Sequence, residues 1–97
     1  MNDAPTRPAG DPSAAPASLD DLALRVAARI AGVRAPAGAP EWASWLAEIG
    51  FLAGESVMVL ARARPGGDPL VVRVGDSTFA LRRAEARCVQ VTAEGAQ

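Results

Sequence analysis

The chain has 97 residues, 22% of them charged and 49% hydrophobic, with ten basic residues against eleven acidic ones and a net charge of −1. That length holds one small domain, which excludes two-domain enzymes and large catalytic clefts, and the charge balance carries no overall electrostatic footprint for nucleic acid. Histidine and lysine are both absent, which removes the commonest neutral-pH acid–base group, Schiff-base chemistry and the lysine of a Walker phosphate loop.

Residues 1–18 read as a disordered arm. Pro5, Pro8, Pro12 and Pro16 recur among Ala, Asp and Ser, and no large apolar side chain beyond Met1 is present to offset the entropy of ordering. Residues 19–92 are long enough for one thin core. From Ser18 to Val33 the pattern supports two readings. Ser18 and Asp21 have the form of a capping box, with Leu19, Leu22, Val26, Ile30 and Val33 at near-helical spacing. The rival is one helical turn at Leu19–Leu22 followed by a strand with Val26, Ala28 and Ile30 on one face.

Arg34-Ala-Pro-Ala-Gly-Ala-Pro40 is a loop by composition. A short helix is predicted over Glu41–Ile49, with Trp42, Trp45, Leu46 and Ile49 as its apolar stripe and Gly50 closing it in a left-handed conformation. From Glu55 the period changes to two. Strands are predicted at Ser56–Ala63 (Val57, Val59 and Ala61 on one face), Leu70–Val74, Thr78–Leu81 and Cys88–Thr92. They are separated by turns at Arg64–Pro69 and Gly75-Asp76 and by a helical turn at Arg82–Arg87. Short strands at this spacing predict a mostly β domain, a small barrel with one or two short helices. Residues 93–97 are expected to fray.

The chemistry is sparse. No catalytic residue is assigned, because neither a Ser-His-Asp nor a Cys-His set can be assembled. Cys88, Asp68, Asp76, Glu85 and Glu48 lack any ligand spacing, so no metal site and no cofactor are assigned. Cys88 cannot form an internal disulfide and reads as a small apolar residue at a strand start. Six arginines between Arg62 and Arg87 face three acids over residues 56–92, a modest basic bias without interleaved aromatics for base stacking. Trp42 and Trp45 on one short helix read first as core; burying both fully in so small a domain is difficult, and a partly exposed tryptophan is a frequent interface anchor. No apolar run approaches the roughly 18 residues of a membrane span. Met-Asn-Asp-Ala-Pro has the look of no signal peptide, so the expected compartment is the cytoplasm.

Leu46-Ala-Glu-Ile-Gly-Phe51, Gly54, Val57-Met-Val-Leu60, Gly67-Asp-Pro-Leu70, Val72-Arg-Val74, Ala80-Leu-Arg-Arg-Ala-Glu-Ala86 and Val89-Gln-Val91 occur in this order. Leu19-Asp-Asp-Leu22 and Ala28-Arg-Ile-Ala-Gly32 precede them at matching spacing. Together they resemble the FeoA family, small cytoplasmic components of bacterial ferrous-iron transport. The resemblance implies an SH3-like barrel whose first strand spans residues 26–33. It also implies an accessory role in ferrous-iron uptake, exercised by contact with the GTPase-bearing membrane permease and without a reaction of its own. Trp42, Trp45, Arg82 and Arg83 are the residues expected to meet that partner. No nucleic acid and no membrane insertion are expected, and a weak homodimer is left open. The alternatives are a weak transition-metal-binding or iron-sensing module and a nucleic-acid-associated barrel. Three positions depart from the family pattern: Arg25 replaces a usual glycine, Ala53 a usual proline, and Trp45 a common arginine.

Overall fold

The computed structural model describes residues 18–93; the predicted arm falls outside them except for Ser18, as does the predicted frayed end except for Ala93. Ser18 opens a 3-10 turn at Leu19–Asp21. The Asp21 carboxylate accepts hydrogen bonds from the Ser18 N–H at 3.1 Å and from its hydroxyl at 3.3 Å. The Ser18/Asp21 cap is therefore real, but it starts one turn and not a long helix. Leu19 and Leu22 are buried, whereas Val26 of the rejected helical stripe is 41% exposed.

The chain leaves helical geometry at Leu22, which is already extended at ψ 139°, and Arg25 keeps it from resuming. Arg25 holds φ +64°, and its N–H donates to the Val59 carbonyl at 2.8 Å. A tertiary hydrogen bond thus overrides local periodicity. A side chain in that left-handed region costs roughly 1–2 kcal/mol relative to glycine, partly offset by the greater backbone entropy that glycine loses on folding. Arg25→Gly is therefore expected to stabilise the domain by about 0.5–1 kcal/mol, read as a rise of several degrees in Tm by circular dichroism. A lower Tm would show that the arginine side chain contributes more than its backbone strain costs.

Five strands follow: β1 (Ala28–Val33), β2 (Ser56–Arg62), β3 (Leu70–Val74), β4 (Ser77–Leu81) and β5 (Val89–Ala93). They form one antiparallel sheet in the order β4-β3-β2-β1-β5, the SH3-like architecture expected. β1 begins at Ala28 rather than residue 26. β2 stops at Arg62, one residue short of the predicted end, and β5 runs on to Ala93, which pairs with Ala28. Ala28, Ile30, Val57, Val59, Leu70, Val72, Val74, Leu81, Val89 and Val91 supply the sheet's buried face. Burial of such aliphatic side chains stabilises by about 1.5–3 kcal/mol each.

Strict alternation fails once in β2. Val59 pairs with Val72 but Ala61 pairs with Val71, so two residues of β2 answer one of β3. A bulge of this kind reverses which residues face inward beyond it. Ala61, predicted to share the face of Val57 and Val59, is exposed, and Arg62 shares the face of its buried partner Leu70.

Helix α1 (Glu41–Glu48) lies between β1 and β2. Gly50, at φ +119°, lets the chain reverse. The Gly50 N–H donates to Ala47 O at 3.1 Å and the Phe51 N–H to Leu46 O at 2.9 Å. This pair of bonds is a Schellman closure, and it sets the fully buried Leu46 and Phe51 together in the core. A second short helix, α2 (Arg83–Ala86), joins β4 to β5.

Candidate functional site

α1 presents its two tryptophans differently. Trp42 is half-buried and packs on the core, while Trp45, one turn on, is 39% exposed. Trp45, Pro69, Ala80, Arg82 and Glu85 line a shallow groove of about 380 Å³. Its floor is mostly apolar, with one cation and one anion at the rim. The Glu85 carboxylate accepts from the Arg82 N–H at 2.8 Å, which fixes the start of α2 and leaves the Arg82 side chain exposed.

Of the four residues expected to meet a partner, the fold brings Trp45 and Arg82 to one groove. Trp42 supports α1 from beneath. Arg83 turns the other way, onto Asp20. Asp20 was not singled out by sequence reasoning, since an aspartate in a polar turn carries no signal of burial, yet its side chain is 5% exposed. Its carboxylate accepts from Arg62 Nη1 at 3.0 Å and from Arg83 Nε and Nη2 at 3.1 and 3.2 Å, and Arg87 Nε lies 3.4 Å away. Arg62 Nη2 also donates to the Asp20 carbonyl. Burial alone would push the Asp20 carboxyl up, but the guanidiniums of Arg83 and Arg62 outweigh it and hold the group below its usual range. This cluster ties the first turn to β2 and α2.

The Asp68 carboxylate accepts from the Arg83 N–H at 3.1 Å, which gives that turn aspartate a local structural partner. Cys88 is buried, its Sγ 3.5 Å from the Ala84 carbonyl; burial, with the nearby Glu85 charge, pushes its thiol up, away from thiolate reactivity. Among the described residues no three His, Cys, Asp or Glu side chains gather as a metal site. No helix among them is long and apolar enough to cross a membrane.

The FeoA domain model matches residues 17–93. The chain belongs to the FeoA family. FeoA of Stenotrophomonas maltophilia, solved with zinc, is 39% identical over 76% of this chain and 87% of its own, with a TM-score of 0.69. It is described as an SH3-domain protein and candidate activating factor of ferrous iron transport. Iron(II) transport protein A of Clostridium thermocellum is 32% identical over 80% of this chain and 46% of its own, with a TM-score of 0.67. FeoA of Chlorobium tepidum is 26% identical over 82% and 72%, with a TM-score of 0.69. No curated protein matches. Membership associates this FeoA chain with ferrous iron transport.

Proposed function

We propose that this FeoA protein is a cytoplasmic accessory factor of ferrous-iron uptake that acts by binding the GTPase-bearing permease, with no reaction of its own. The observation that carries the reading is the groove beside Trp45. A large aromatic side chain left 39% exposed next to an arginine is the composition of an interface anchor, where Trp and Arg account for much of the binding energy. Trp45 and Arg82 make the contact. Trp42 holds α1 in place beneath it, and Arg83, through Asp20, holds the start of α2.

The test is capture of the detergent-solubilised permease on tagged full-length protein. Trp45→Arg and Arg82→Glu are each expected to reduce capture about tenfold or more, as loss of an interface anchor commonly does, with circular dichroism unchanged. Wild-type capture that neither variant weakens would move the contact to another face. No capture by a folded wild type would overturn the reading.

A further inference from the structure

β4 is the end of the sheet. It pairs with β3 from Leu70↔Leu81 to Val74↔Ser77 without a break, and among the described residues no strand lies on its other side. In a hairpin with a two-residue turn, the residues flanking the turn form a hydrogen-bonded pair. Ser77, Phe79 and Leu81 therefore direct their backbone groups to β3, and Thr78 and Ala80 direct theirs away from the sheet. Among the described residues neither Thr78 nor Ala80 makes a backbone hydrogen bond outside the sheet, and both are exposed. Open edges are usually guarded by a charge, a proline or a bulge; Ser77-Thr-Phe-Ala-Leu81 has none of these.

We propose that β4 pairs antiparallel with β4 of a second copy of this chain, giving a two-fold dimer with a sheet continuous through both copies. Phe79 lies on the axis. Thr78 exchanges its two backbone bonds with Ala80 of the second copy, and Asp76, just before the strand, comes beside Arg82 of the second copy. Both of these side chains are exposed, and the two-fold makes the opposite-charge pair twice. Charge complementarity selects this register. A two-residue slip either way places Asp76 opposite Ala80, or Arg82 opposite Thr78, and loses both pairs. The groove beside Ala80 and Arg82 then receives the hairpin turn of the second copy against Trp45. One short strand per copy buries little area, so the dimer is weak and exchanges with monomer.

Self-association is measured without the permease, so this inference stands or falls apart from the proposed function. Sedimentation equilibrium of the full chain with chelator, from about 10 µM to 1 mM, is expected to show mass rising with concentration from 9.9 kDa towards twice that value. Asp76→Arg and Arg82→Asp should each weaken association about tenfold or more, and the double variant should restore it to within about threefold of wild type. Ala80→Pro, which removes only an outward N–H, should abolish it while circular dichroism stays native. Amide exchange at Thr78 and Ala80 should slow as concentration rises. A monomer throughout the range, or a dimer that the charge swap and Ala80→Pro leave unchanged, would overturn the proposal.

Discussion

Replacing Asp20 with alanine is expected to destabilise the domain by about 2–4 kcal/mol. The carboxylate is 5% exposed and holds Arg62, whose side chain is 24% exposed; removing it leaves that guanidinium enclosed with no counter-charge. Breaking one side of a buried ion pair costs roughly 3–5 kcal/mol, and the solvent reaching Arg83 and Arg87 lowers the figure. A domain of this size has on the order of 4–11 kcal/mol in all, so Asp20→Ala removes a large share. The same geometry sets the pH response. The Asp20 carboxyl is held below its usual range in the folded protein, so its contribution is present above the unfolded value of about 3.9 and is lost as pH falls through the folded value. Urea denaturation at pH 7 and pH 3 measures both effects. Wild type should lose more stability between the two than Asp20→Asn, which cannot titrate. Equal losses, or an Asp20→Ala variant within about 0.5 kcal/mol of wild type at pH 7, would remove the cluster from the list of things that hold the fold.

Phe51→Ala is expected to cost about 3–5 kcal/mol, the usual range for removing a buried phenylalanine. Phe51 is 1% exposed, and its ring lies 6.1 Å from that of Phe79 at 48°. It also forms the Schellman closure of α1, so the void opens beneath the helix that carries both tryptophans. Phe51→Leu retains most of the volume and should cost only about 1 kcal/mol. Chemical denaturation gives the size of the effect, and near-UV circular dichroism gives the tryptophan environment. Loss of the near-UV signal with far-UV signal retained is expected for the alanine variant. An alanine variant as stable as the leucine variant would show that the site collapses around the deletion.

Much of this arrangement was legible in the order of residues. The alternation of Leu70, Val72 and Val74 and the closing role of Gly50 depend on local rules and appear as read, whereas of the α1 stripe Trp42, Leu46 and Ile49 meet the core but Trp45 stays 39% exposed. Ser18 to Val33 was ambiguous because Leu19, Leu22, Val26, Ile30 and Val33 fit a helix, while the chain turns extended at Leu22 and is then held by a hydrogen bond from Arg25 to a carbonyl 34 positions later in the chain. Ala61 was misplaced for a related reason: period-two reasoning has no way to foresee an inserted residue. The site was half legible. Trp45 stood out by its type and scarcity, and Arg82 by the late clustering of arginines. Arg83 stood out for the same reason and proves to be committed to Asp20. Asp20 itself could be recognised only once arginines from β2 and α2 had met around it.

The bulge in β2 decides which side of the sheet Arg62 occupies. Were Leu60 and Ala61 to run in simple alternation instead, Ala61 would meet Leu70 and Arg62 would swing to the opposite side of the sheet, away from Asp20, although every residue in the cluster would still be present. Losing one residue between Val59 and Arg62 would remove the bulge and keep Arg62 opposite Leu70, and the Arg64–Pro69 turn, with Arg64, Pro65 and Gly66 exposed, lies outside the sheet and can vary in length without altering which side any strand residue faces. The sidedness of β2 is therefore set by its extra residue: the strand can lose that residue and keep Arg62 on the side of Asp20, but it cannot straighten around it.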